Sequence, residues 1–464
     1  MDHEEAGAQM RGSGRAWLAI VLAALAVIGA GAAERLGPAT PSSGAVGEAV
    51  SSVWLCPHGG GPGWRGTIEI ANPGDVAVQA RLTSLGDGEP TAVGQVEVPA
   101  HETVSHDVPD RARGAATQVQ LFGGWAAVAW VVRAGGNEAG LGAEPCTSEP
   151  GAHWAVVDGV TTKQTHSYLV VMNPFPSDAV IDVALFLAGR PPVRDSAWTD
   201  LPVRAGRSVA LDVGSRVLGE SIVGMDVTAT RGRIAVGSLA VRGSGSVRST
   251  IASSSYASSW ILPVAGGAGG GIVSLLVPGD LGVRFGATLL QADEEEQTAG
   301  NLALVRQGGT STVSAPFSTV GPSAVIVTIT GEGEVVADVR AAGPGPDDAS
   351  TGGTATPGPG WVVLPTAVGG SPAPALVLVN PGDTPVTATA TLLDGVGETV
   401  SVTVAPRQTA SVPLRFLRGD ATAGVLIVGD GDLVALGAGT SGPGQTGWYA
   451  MAMGVSLPPA PGAP

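Results

Sequence analysis

The chain has 464 residues, of which 71 are Gly and 35 are Pro; 44% are hydrophobic and the formal net charge is −16. That length exceeds what one hydrophobic core holds, and the apolar fraction excludes intrinsic disorder, which needs few apolar residues and high charge. The acidic balance, with Lys163 the one lysine, excludes nucleic-acid binding because phosphate backbones would be repelled.

Residues 1–15 read as a cytoplasmic N-terminus. Residues 16–33, AWLAIVLAALAVIGAGAA, are uncharged and mostly apolar, with Arg11 and Arg15 just before them. They predict either a retained transmembrane helix or a signal peptide cleaved near Ala30-Gly31-Ala32. Both place the bulk of the chain outside the cytoplasm, at the cell membrane or secreted. Residues 34–50 (ERLGPATPSSGAVGEAV) have the composition of a flexible stalk. In an exported chain, Cys56 and Cys146 predict a disulfide; closing a loop of about ninety residues stabilises by roughly 4–5 kcal/mol in the chain-entropy model. Neither cysteine has a second cysteine at metal-ligand spacing, so no metal site is expected.

From residue 51 the sequence repeats. A tryptophan opens each unit, at Trp54, Trp154, Trp260 and Trp361. A corner follows seventeen to nineteen residues later: Asn72-Pro73-Gly74-Asp75, Asn173-Pro174, Val277-Pro278-Gly279-Asp280 and Asn380-Pro381-Gly382-Asp383. Pro followed by Gly predicts a type II turn with positive φ at the glycine. After each corner apolar residues alternate, as in Val78, Ala80, Leu82 and Val386, Ala388, Ala390, Leu392, which is a strand with one face in a core. Further shared segments lie at 98–108, 203–213, 305–315 and 404–414, and each unit ends in a pair of apolar strands.

Six or seven strands in about one hundred residues predict an all-β fold: a tandem array of about four immunoglobulin-like β-sandwiches. Their expected bounds are 51–150, 151–256, 257–343 and 361–456. Residues 344–360 (PGPDDASTGGTATPGPG) read as the most mobile internal linker, and 457–464 as a disordered tail. A fifth tryptophan segment, GWYAMAMGV at Trp448, either completes the last sandwich or passes between neighbours. A four-bladed propeller is the alternative architecture, one hundred residues being long for a blade.

The recurring Trp54, Trp154, Trp260, Trp361 and Trp448 read first as packing under each sandwich, and alternatively as platforms for sugar rings. Asp293-Glu294-Glu295-Glu296 and Gly429-Asp430-Gly431-Asp432 do not match a calcium loop and read as a solvated loop or hairpin turn. His101 and His106, five apart in an alternating strand, would face opposite sides. The GGAGGG run at 266–271 precedes a strand and lacks the helix start of a phosphate loop. No spacing singles out a catalytic pair, so neither an enzyme nor a cofactor is expected.

Trp54, Cys56 and Pro57 soon after a short membrane-spanning start, together with Asn-Pro-Gly-Asp corners in sandwich-like units, resemble an uncharacterised family of actinobacterial cell-envelope proteins built on a domain of unknown function. The resemblance covers most of residues 50–456 and implies location alone. The reading is a non-catalytic extracytoplasmic envelope protein, anchored by its N-terminal helix and serving as scaffold, spacer or protein-interaction module. The alternative is a cell-wall carbohydrate binder; envelope proteins or cell-wall glycans are the expected partners.

Overall fold

The computed structural model describes residues 50–109, 112–243, 245–265, 270–278, 283–292, 297–298, 312–318, 321–343, 347–364, 375–413, 423–440 and 448–458. The expected anchor at 16–33, the stalk up to residue 49, Asp293–Glu296 and residues 459–464 of the tail lie outside them.

Eight strands make the first unit: β1 (Val50–Cys56), β2 (Arg65–Asn72), β3 (Val78–Leu85), β4 (Thr91–Val98), β5 (Glu102–Val108), β6 (Ala116–Phe122), β7 (Ala127–Ala134) and β8 (Gly140–Pro145). They pair antiparallel in two four-stranded sheets, ordered β1-β6-β3-β4 and β5-β2-β7-β8. The alternating residues Val78, Ala80 and Leu82 of β3 meet Ile68 and Ile70 of β2 and Val128 and Val132 of β7 between the sheets. This is a sandwich, and β3 has the half-buried pattern read from its sequence. The three later units repeat both sheet orders, and no α-helix occurs among the described residues. In the fourth unit, one strand, Gly424–Thr440, does the work of β6 and β7 together by crossing from one sheet to the other. Gly429 to Asp432 lie inside that crossing rather than in a hairpin turn, and Asp430 accepts a hydrogen bond from the Thr387 backbone N–H (2.8 Å).

The last strand of each unit carries the architecture. Strands Gly140–Pro145, Ser246–Ile251, Asp348–Gly352 and Tyr449–Met453 lie side by side, each against two of the others, and the fourth returns to the first. Four sandwiches therefore close a circuit around one axis, an arrangement that the reading as a tandem array left open. The axial strands approach closely because they use small residues. A Cβ on Gly140 would lie 2.5 Å from the Val247 backbone nitrogen, and one on Gly142 would lie 2.9 Å from Ser249 Cβ. The circuit is sealed between first and last units by Gly395 N–H donating to His101 O (3.1 Å) and Gly424 N–H donating to Thr103 Oγ1 (2.8 Å).

Closure changes two expectations. The cores are not separate: Leu55, Leu85 and Ala116 of the first unit belong to the apolar cluster of the second, and the third and fourth units share one cluster. Residues 50–464 group as one compact unit. Within the expected linker 344–360, residues Asp348–Gly352 are a strand paired with Val336–Ala342 and mostly buried. Gly and Ser there serve tight packing: a Cβ on Gly353 would lie 2.4 Å from Leu262 Cδ2. Of the two readings of the Trp448 segment the first holds: it leads into the axial strand Tyr449–Met453, which completes the last sandwich.

The corners work through their asparagine. Asn72, Asn173 and Asn380 have no exposed surface. Asn380 Nδ2 donates to Thr384 O (2.7 Å), Val404 O (3.1 Å) and Ala405 O (3.1 Å), while Gly382 N–H donates to Oδ1 (3.0 Å). Asn72 and Asn173 repeat this set, tying the corner to the turn that joins the fourth and fifth strands of each unit. The turn is not type II: Gly74 and Gly382 do not have positive φ, and Phe175 occupies the equivalent place in the second unit. The side chain sets the bend as an Asx turn. Positive φ falls instead at His101, Gly206 and Arg407, in the turn opposite. His101 is therefore a turn residue, paired with Asp75 at 2.9 Å, and not part of the strand that carries His106.

Candidate functional site

Each opening tryptophan anchors its strand. Trp154, Trp260 and Trp361 donate their indole N–H to the backbone carbonyls of Ile234 (3.0 Å), Val335 (2.7 Å) and Leu433 (2.9 Å), one residue before the seventh-strand segment in each unit. Trp54 has no such partner and packs edge-on to Trp125, with ring centroids 6.1 Å apart. Exposure is 4% at Trp54, 2% at Trp154, 3% at Trp260 and 3% at Trp361, so these rings offer a sugar no open face to stack on. Trp448 is half-buried against Leu141, Ala143, Ala450 and Ala452. The packing role read from sequence fits all five; the sugar platform finds no exposed stage at the first four.

One position beyond the tryptophan pairing explains the disulfide. The segment leaving each axial strand bridges the opening strand of its own unit, at Leu55–Thr147, Ala155–Ser253, Ile261–Thr354 and Val362–Val455. The residues beside those bridges are Cys56 with Cys146, Val156 with Ala252, Leu262 with Gly353, and Val363 with Gly454. Cys56 and Cys146 form the disulfide, both buried. The other units fill the same place with one large and one small apolar residue. Three of these junctions then turn on a hydroxyl: Thr147, Ser253 and Thr354 accept from the backbone N–H groups of Glu149, Ser255 and Thr356.

At this end of the axis the junctions surround a cavity of about 1150 Å³. Trp54, Trp125, Trp154, Trp260 and Trp361 contribute to its wall, so every unit takes part. Its acidic groups are Glu144, Glu149 and Asp338. Glu144 is 1% exposed, and both of its oxygens face the Thr351 hydroxyl across the axis (2.9 and 3.1 Å). Burial pushes its carboxyl well above the usual range, against the Thr351 hydrogen bond and with the help of Asp338. Burial and then Asp158 push Asp338 up likewise, opposed by Arg248 and Arg340. Asp338 Oδ1 has no hydrogen-bond partner.

Next to this floor lies a buried ionic lattice that joins units two and three. Arg248 Nη1 lies 3.0 Å from Asp348 Oδ2, and Arg340 Nη1 lies 3.2 Å from Asp158 Oδ1. Arg248 Nε is 3.1 Å from Asp158 Oδ2, close as an ion pair though not aligned as a hydrogen bond. Ser246 donates to Asp348 Oδ1. Burial opposes both charges, yet the lattice wins: Asp158, Asp348 and Asp338 hold Arg248 protonated beyond its ordinary range, and Arg248 leads in holding Asp348 below the usual carboxylate range. Asp347 accepts from Tyr449 N–H (2.8 Å) and joins unit three to unit four; burial pushes its carboxyl up to about 7.

Sequence reasoning passed over all of these residues. The available signal was charge inside apolar axial-side strands, as in Ser246–Ile251 (SVRSTI) and Val336–Ala342 (VADVRAA). Among the described residues, no group of three or more His, Cys, Asp or Glu is arranged to hold a metal.

No curated protein matches the chain. Among solved structures, a tetra-tandem repeat in the extending region of a large adhesion protein is 15% identical, covering 83% of this chain and 93% of that one, with a TM-score of 0.10. The model of DUF5719, a family of unknown function, matches residues 111–415, and the chain belongs to that family.

Proposed function

We propose that this protein is a non-catalytic extracytoplasmic scaffold or protein-interaction module of the cell envelope, held at the membrane by residues 16–33. The observation that carries the reading is the closed circuit: four sandwiches joined by axial strands, shared cores and buried ion pairs make one stiff body. Such a body presents loops at fixed separations, which suits holding partners rather than spanning a distance. The Cys56–Cys146 disulfide supports an oxidising compartment. The apolar run and its preceding arginines supply the anchor.

Crosslinking on intact cells followed by purification of the full chain tests it. Specific envelope proteins, absent from a control carrying the same anchor on an unrelated sandwich, are expected. A recovered set identical to the control's would refute the interaction role.

A further inference from the structure

We propose that the axial cavity is a binding site for an organic cation, an ammonium group on an apolar or aromatic body, with Glu144 and Asp338 as its counter-charges. The site goes beyond the scaffold reading and does not depend on where the protein resides.

The first argument is charge. The wall holds three carboxyl groups, Glu144, Glu149 and Asp338, and no Arg, Lys or His side chain. In a chain that buries Arg248 and half-buries Arg340 nearby, their exclusion from the wall leaves the acids as its charged groups. The second is an unmet hydrogen-bonding demand. Asp338 is 8% exposed, lines the cavity and leaves Oδ1 without a partner. Glu144 beside it accepts from the Thr351 hydroxyl and the Gly352 backbone N–H, which leaves Asp338 as the unmatched acceptor. A buried acceptor left unmatched is destabilising, so a ligand that supplies the donor gains affinity without having to break a protein contact. The third is size and surface. About 1150 Å³ is the upper range for a small-molecule site and far more than a bare ion fills, and indoles from all four units contribute to the wall. A largely apolar wall with an acidic floor suits a cation that carries hydrocarbon.

Burial raises both carboxyls above the usual carboxylate range. Asp338 faces Asp158, Arg248 and Arg340; Glu144 faces Asp338 and the Thr351 hydroxyl. An arriving ammonium favours their ionised forms, and each carboxyl that ionises gives one proton to solvent while the ammonium stays intact. Binding is thus expected to tighten with pH and to release protons.

The probe is benzylammonium, which carries N–H donors and stays protonated at both pH 6 and pH 8, titrated into the full chain by tryptophan fluorescence and calorimetry, with benzyl alcohol as the neutral control. Expected are saturable binding of the cation alone, at least tenfold tighter at pH 8 than at pH 6, and at least tenfold weaker in Asp338→Asn and in Glu144→Gln. Both variants keep the side-chain shape and remove the ionisable group, and circular dichroism and the melting temperature check their fold. Should either variant misfold, the pH dependence of the unaltered chain remains the deciding measurement. Absence of saturable binding, equal binding of benzyl alcohol, pH-independent affinity, or unchanged affinity in both folded variants would each overturn the proposal.

Discussion

Replacing Asn380 by alanine tests whether the corner amide, rather than the proline or glycine beside it, holds the sandwich edge. Its nitrogen has two hydrogens for three carbonyls at 2.7, 3.1 and 3.1 Å, so one hydrogen is shared, and its oxygen accepts from Gly382 at 3.0 Å. That makes three independent bonds at a site with no exposed surface. At about 1 kcal/mol net each, with a further penalty for carbonyls left dry, the loss is about 3–4 kcal/mol. Asn380→Asp should cost at least as much despite its identical shape, because a carboxylate has no donor and would face three carbonyl oxygens. Urea unfolding followed by tryptophan fluorescence and circular dichroism reads the cost. Asn72 and Asn173 serve as internal replicates, since they make the same bonds in other units. A loss below about 1 kcal/mol at all three, or aspartate tolerated better than alanine, would refute the reasoning.

Further outcomes follow from the axis and the junctions. Arg248→Ala should destabilise by about 3–5 kcal/mol, with little relief from added salt, because it takes the one fully buried arginine from between Asp158 and Asp348 and leaves them to the flanking arginines; a cost under 1 kcal/mol in urea unfolding would remove the lattice from the account. The double variant Val156→Cys with Ala252→Cys should form a second disulfide under oxidising conditions, since those positions match Cys56 and Cys146; mass spectrometry that finds two free thiols in the folded protein would contradict the equivalence. Asp347, raised by burial from 3.8 to about 7, binds a proton more tightly folded than unfolded, so its contribution is full below pH 4, declines up to pH 7 and is flat above. The stability of the unaltered chain relative to Asp347→Asn should therefore fall by something of the order of 4 kcal/mol across that window; parallel pH curves would count against it.

Much of the fold was legible because it is local. Alternation in β3, the Asn-Pro corners and the paired cysteines each depend on residues near in sequence or on one long pairing. The axis was not legible, since it is made of contacts among strands about one hundred residues apart. Its sequences misled for a physical reason: glycine, serine and threonine are what a flexible linker and a close backbone approach both need. Asp348–Gly352 was taken for a joint on that composition, although Gly353 lies against Leu262 with no room for a methyl group. Trp448 was grouped with the other tryptophans by residue type, whereas its segment leads into an axial strand. The acids of the cavity sat one or two at a time in separate strands, and no spacing could announce that Glu144 and Asp338 share a floor.

A solenoid can lengthen by duplicating one repeat, because each new copy adds a neighbour and disturbs nothing else. The axial strands of this protein forbid that. Each already has two neighbours, so a fifth sandwich would have to pry Tyr449–Met453 from Gly140–Pro145, and a deletion would leave two such faces bare. Adding or removing a module therefore breaks contacts along the whole axis, so the four stand or fall together.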